Sequence, residues 1–288
     1  MAKFLAGKEV SAALAESLVP RLARLAEEGI VPTVALVRVG ERPDDLSYER
    51  TAVKRAEALG IAVRDFVLPA GASQAELEAV IDEVNADEGI HGCLLFRPLP
   101  PSMDERAVCD RLAPEKDIDG ISSASLAGVF ADTGEGFPPA TAQACLEVLD
   151  YYGIPVEGAR AVVLGRSLVI GRPVACMLLA RHATVTLAHS RTADLAAHTR
   201  EADIVVCATG RARAFGPEYF SAGQTVLDVG INFDEEGNLC GDVDFAAVEP
   251  VLGDAGALTP VPRGIGGVTT TVTMAHVVKA AEAAAKRR

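Results

Sequence analysis

Two groups of residues in this 288-residue chain have types and spacings suited to chemistry. The first lies in Ala161–Ala175, AVVLGRSLVIGRPVA. An apolar run meets Gly165, Arg166 and Ser167; Gly171 and Pro173 follow. A strand, a glycine turn and a helix start in that order let backbone N–H groups and a helix N-terminus face a phosphate. A glycine turn alone is equally an ordinary strand-to-helix connection. The next apolar run, ATVTLAH, ends at His189-Ser190-Arg191-Thr192, with no acid. An acid at that point suits a ribose 2′-hydroxyl, whereas arginine suits a 2′-phosphate. Arg191, with Arg166 in the glycine turn, therefore predicts NADP as the cofactor; the plain alternative for Arg191 is a solvated surface residue. Two further strand ends, Thr209-Gly210 and Gly230-Ile231-Asn232, are expected on the same face, where small residues let a ligand approach the backbone. Asp228 and Asp242 read as acids that cap or brace turns.

The second group is SYERTAVKR (Ser47–Arg55), LLFRPLP (Leu94–Pro100) and PEKDIDG (Pro114–Gly120). Pro-Leu-Pro directly after an apolar run fixes a rigid loop at a strand end. Asp117 and Asp119 flank Ile118, so in extended chain both acids face one side. The alternative is that both simply form a turn.

These residues must be positioned by alternating strands and helices. Helical spacing covers Val10–Ala26, Asp44–Leu59 and Gln74–Asn85, with strands at Thr33–Val39, Ala62–Leu68 and Gly92–Phe96 between and after them. A helix is expected over Thr141–Tyr152, then strands near 160–164, 183–188, 203–208 and 225–230, and a last helix at about Val272–Lys286. The βαβ rhythm predicts an α/β fold with parallel strands. Two domains are expected: 1–140, joined by 268–288 returning to it, and a Rossmann-type domain over 141–267. The passage between them is placed within the Gly-, Asp- and Ser-rich stretch Pro114–Gly136.

Hydrophobic residues make up 49% of the chain, enough for packed cores, and the formal net charge is −13. That balance argues against a nucleic-acid surface, which needs clustered Lys and Arg. The six cysteines form no CxxC pair, so no metal site is expected, and a reducing cytoplasm is. MAKFLAGKEV has no secretory pattern, and no apolar run of ~20 residues suggests a membrane span.

Together these segments resemble the methylenetetrahydrofolate dehydrogenase/cyclohydrolase family nearly end to end. The match covers GKEV, SQAELEAVIDEVNAD, the PLP loop, KDIDG, VVLGRSLVIGRP, ATVTLAHSRT, ADIVVCATG, LDVGIN, GDVDF and TPVPRGIGG, in the family's order. The resemblance implies an N-terminal α/β folate domain completed by the C-terminal helix, a C-terminal NADP domain, a cleft holding folate and a homodimer. It implies cofactor contacts from Gly165, Arg166, Ser167, Gly171, Ser190, Arg191, Thr192, Thr209, Gly210 and Ile231. For tetrahydrofolate derivatives it implies Tyr48, Leu95, Pro98, Leu99, Asp119 and Gly264, with Tyr48 stacking and Asp119 binding the pterin. The implied reaction is hydride transfer from 5,10-methylenetetrahydrofolate to the nicotinamide. It needs alignment more than an acid or base, and a carboxylate such as Asp119 would favour the cationic product.

The chain departs from the family on the folate side. Bifunctional members carry a lysine four residues after the tyrosine and a glutamine two residues before the PLP loop; Ala52 and Phe96 stand there, followed by Arg97. Lys54 is the remaining candidate catalytic lysine. At ~100° per residue it lies about 120° around a helix from Tyr48, a poor substitute, and a solvated helix lysine is the alternative. Arg50 or Arg97 would stabilise charge rather than shuttle protons, because arginine keeps its proton. Arg263 stands where the family has glycine, and Ala140-Thr141-Ala142 replaces the family's CTP. The expectation is an NADP-dependent dehydrogenase whose cyclohydrolase step is weak or lost; the alternative is the fully bifunctional enzyme.

Overall fold

Short apolar runs form the centres of two parallel sheets, each organising one unit. The structure, a computed structural model, describes residues 1–287. One unit comprises Ala13–Ala140 and Thr270 onward; the other comprises Met1–Ala12 and Thr141–Thr269.

In the three-stranded unit, Thr33–Val39 lies between Ala62–Leu68 and Gly92–Leu95, all parallel. Every residue of Thr33–Val39 and Gly92–Leu95 is buried, as parallel strands covered on both faces require. The helices Pro43–Ala58 and Gln74–Ala86 supply the crossovers. Ser73 begins the second with a capping box: its hydroxyl accepts from Glu76 N at 3.3 Å, and Glu76 Oε2 accepts from Ser73 N at 2.7 Å. Leu36, Leu94, Ile118, Met274 and Val277 are at most 2% exposed and pack in one core; burying each such side chain contributes about 1.5–3 kcal/mol. A second core on this sheet joins Val37, Leu77, Ile81 and Leu95.

In the six-stranded unit the order is Lys3–Phe4, Ala257–Leu258, Thr225–Asp228, Ile204–Cys207, Arg160–Leu164, Thr184–Ala188. Every pairing is parallel. The carboxyl ends therefore share one edge, where ligands of such sheets bind. An antiparallel pair, Asn232–Phe233 with Leu239–Cys240, follows the Thr225–Asp228 strand.

The structure corrects several expectations. Residues 1–12 belong with the six-stranded unit, because Lys3 pairs with Ala257; two residues are too few to read as a strand. The stretch 114–136 holds a helix, Ser123–Ala131, capped by Ser122, rather than the passage between units, and the chain changes unit between Ala140 and Thr141, at the 1–140 bound. The last helix spans Gly266–Ala285 rather than starting near Val272. Its first turns, GGVTTT, are poor helix formers, yet Val268, Thr269, Thr270 and Thr271 are buried, and packing overrides propensity.

Candidate functional site

The glycine turn after Arg160–Leu164 is shaped by close backbone packing. Gly165 has φ +114°, and a Cβ there would lie 2.1 Å from the Ala208 carbonyl oxygen. A Cβ on Gly171 would lie 2.1 Å from the Gly165 carbonyl oxygen. Only glycine fits either place. The helix Gly171–Ala180 starts directly after the turn, with Ser167 Oγ accepting from Ile170 N at 3.1 Å. Arg166 and Ser167 stay exposed beside this helix N-terminus.

Beyond Thr184–Ala188, a tight turn is held by Thr192 N donating to His189 O at 2.9 Å and His189 N donating to Thr192 Oγ1 at 2.9 Å. Arg191 N donates to His189 Nδ1 at 3.2 Å, leaving the Ser190 and Arg191 side chains exposed. Backbone N–H groups, a helix N-terminus and arginines without an acid suit a dinucleotide with a 2′-phosphate. Thr209, Gly210 and the 59%-exposed Ile231 lie beyond the next two strands of this edge. Gly264, expected on the folate side, is buried in this unit.

The three-stranded unit holds a cavity of about 360 Å³ at the end of its sheet, lined by Arg42, Asp44, Asp45, Tyr48, Leu94, Leu95, Phe96, Arg97 and Asp119. Tyr48 reaches it from the helix Pro43–Ala58, with its ring edge against Phe96 at 6.1 Å between centroids. Thr273 and Thr270 hydrogen-bond to its hydroxyl; burial and the neighbouring Asp119 raise its pKa well above the ordinary value, so it stays a neutral phenol.

Asp117 and Asp119 have separate roles. Asp117 is fully buried and turn-forming: it accepts from Ile121 N at 2.9 Å, Ser122 N at 2.8 Å and Ser122 Oγ at 2.6 Å. Asp119 instead lines the cavity, 3.9 Å from Arg97 Nη2. Although 23% of its side chain meets solvent, the surrounding protein pushes its carboxyl up to about 6; Arg97 opposes that rise and Asp117 adds to it. Arg97 Nη1 also lies 3.5 Å from Glu105 Oε1, and its Nε is buried without a hydrogen-bond partner.

Leu95 lines the cavity; Leu99 is buried beside it in sequence, its N–H donating to Glu105 Oε2 at 2.8 Å, and Pro98 is exposed. Ala52 and Phe96 are buried, 1% and 5% exposed, in the same core as Tyr48. Lys54 corrects the candidate catalytic lysine: it is exposed and does not line the cavity, as its angular offset from Tyr48 requires. Arg50 is exposed too, whereas Arg97 faces the cavity.

Sequence reasoning passed over Arg42, Asp44 and Asp45, which line the cavity from the helix start RPDD. It also passed over Thr270 and Thr273, whose place opposite Tyr48 depends on a helix from far along the chain.

Residues 5–119 match the family model "Tetrahydrofolate dehydrogenase/cyclohydrolase, catalytic domain", and residues 139–285 match its "NAD(P)-binding domain". The chain is 49% identical over 284 residues to "Bifunctional protein FolD" of Carboxydothermus hydrogenoformans, covering 98% of each. The bifunctional FolD dehydrogenase/cyclohydrolase structure from Campylobacter jejuni superposes with TM-score 0.94 at 33% identity, covering 98% of this chain and 99% of that one. The Trypanosoma brucei FolD structure, complexed with NADP cofactor and inhibitor, superposes with TM-score 0.91 at 32% identity, covering 99% of each. No helix among the described residues is long and apolar enough to cross a membrane. With both domain models matched in order, the chain belongs to the tetrahydrofolate dehydrogenase/cyclohydrolase family of enzymes.

Proposed function

We propose that this enzyme oxidises 5,10-methylenetetrahydrofolate to 5,10-methenyltetrahydrofolate with NADP, and that hydrolysis of the methenyl product is weak or lost. The cofactor supplies the hydride acceptor. Gly165, Arg166, Ser167 and the Gly171 helix start would hold its pyrophosphate, and Ser190, Arg191 and Thr192 its 2′-phosphate. Thr209, Gly210 and Ile231 would flank it further along the edge. Tyr48 and Leu95 would hold the pterin, whose N–H donors pair with the Asp119 carboxylate. That carboxylate also favours the positive charge that develops as hydride leaves.

The observation that carries the loss of hydrolysis is the cavity lining, which contains neither lysine nor glutamine. Ala52 has no proton to give, Phe96 turns a ring edge to Tyr48, and Arg97 keeps its proton. A second reading, the bifunctional enzyme, draws support from Asp119: a carboxyl near 6 on the cavity wall is poised to accept a proton from water. Methenyltetrahydrofolate alone separates the two. Loss of its absorbance no faster than in buffer supports the proposal, and a rate well above buffer supports the bifunctional reading. The paired change Ala52→Lys with Phe96→Gln is expected to raise hydrolysis about 100-fold, the scale of general acid–base catalysis.

A further inference from the structure

Two carboxylates in the six-stranded unit lie outside the roles assigned so far. Asp242 is fully buried and Asp228 is 3% exposed. Asp242 Oδ2 accepts from Thr209 N at 2.5 Å, Thr209 Oγ1 at 2.9 Å and Gly210 N at 3.2 Å. Its Oδ1 accepts from Arg211 N at 3.0 Å and Asn232 Nδ2 at 2.9 Å. All five donors belong to segments just beyond the carboxyl ends of Ile204–Cys207 and Thr225–Asp228. Asp228 holds Asp242 in turn: its Oδ1 accepts from Asp242 N and Gly230 N, each at 3.0 Å, and its Oδ2 accepts from Val243 N at 2.9 Å. The backbone is cut to admit both acids. A Cβ on Gly230 would lie 2.1 Å from Asp242 Oδ1, and one on Gly241 would lie 1.9 Å from Asp228 Oδ2.

We propose that Asp242 is a positioning residue for the dinucleotide: it fixes the Thr209-Gly210-Arg211 and Ile231-Asn232 segments in the one arrangement that accepts the cofactor, and Asp228 fixes Asp242. The proposal rests on the cofactor reading above. Its chemistry is specific to a carboxylate. Five donors converge on two oxygens: an amide nitrogen in place of Oδ2 meets the Thr209 and Gly210 N–H groups, and in place of Oδ1 the Arg211 N–H, none of which can accept from it. Ordering these segments in advance removes that cost from binding. Asp242 does not touch the ligand, so its loss weakens binding more than it slows the bound enzyme.

The test uses the full chain. For Asp242→Asn, NADP+ titrated against the apoenzyme is expected to bind about tenfold more weakly, from loss of two or more charge-assisted hydrogen bonds. The cofactor KM rises by a similar factor, while kcat at saturating cofactor falls less than about threefold and the folate KM moves less than about twofold. In the apoenzyme, amide exchange at Thr209, Gly210 and Arg211 speeds up. Asn232→Ala removes one partly buried donor and is expected to weaken binding about threefold, so it decides the matter if Asp242→Asn does not fold. A folded Asp242→Asn, or a folded Asn232→Ala in its place, that binds NADP+ as the wild type does overturns the positioning role. Wild-type enzyme that binds no NADP+ overturns the cofactor reading and this role with it.

Discussion

The two ligand-facing regions are made from different parts of the amino acid. At the carboxyl edge of the six-stranded sheet the shape is set by backbone: Gly165 and Gly171 lie against carbonyl oxygens, and peptide N–H groups converge on Asp242. At the end of the three-stranded sheet the shape is set by side chains: Tyr48, Phe96, Arg97 and Asp119 form the wall. Backbone surfaces survive the exchange of one side chain but not an added Cβ. A side-chain wall is the reverse.

The largest expected effect is at Asp119. Asp119→Asn removes the charge facing the developing cation, and kcat/KM for the dehydrogenase should fall on the order of 100-fold. A loss below about threefold in steady-state assays would mean that the cavity wall is not governed by single side chains.

Next is Gly165→Ala. The added Cβ meets the Ala208 oxygen, and φ +114° is costly for alanine. Stability should drop by about 2–3 kcal/mol in denaturant unfolding, with NADP binding weakened in proportion to the turn's distortion. Unchanged unfolding would break the backbone half of the comparison.

Arg191→Ala should cost less, about tenfold in NADP affinity and little in NAD affinity, because an exposed pair to the 2′-phosphate is lost while the backbone cradle stays. Equal losses for the two cofactors, measured by parallel titration, would remove Arg191 from the specificity contact.

The smallest effect is a shift in pH dependence. Asp119, near 6, is ionised above that pH, so kcat/KM for folate at saturating cofactor should fall as pH drops through about 6. Arg97 lowers that value, so Arg97→Leu should move the acid limb upward by about one pH unit. A limb that stays in place would uncouple the two residues.

The same contrast governs what was legible in the sequence. Strand Thr33–Val39 and the glycine turn at Gly165 declare themselves locally, because apolar runs and glycine spacing carry their own geometry. Tyr48 and Asp119 were legible through the family's motifs. The part that Arg42, Asp44 and Asp45 take in the same cavity was not, because only the fold brings that helix start to Phe96 and Asp119. Asp242 read as a turn brace, and nothing adjacent in sequence discloses its five donors. The Lys3–Phe4 strand was invisible because only its partner at Ala257–Leu258 makes it a strand.

That pairing has a consequence for synthesis. The six-stranded sheet needs Ala257–Leu258 to receive its first strand, and the core of the three-stranded unit needs Met274 and Val277. Neither unit is complete until about nine tenths of the chain has emerged from the ribosome. At about 5–20 residues per second, early apolar segments such as Val34–Val39 wait about 10 to 60 seconds for their final partners. The nascent chain should therefore be a client for holdase chaperones throughout translation, and shortening it by its final helix should expose the core of the three-stranded unit, which takes Met274 and Val277 from it, while the core of the six-stranded unit keeps its residues.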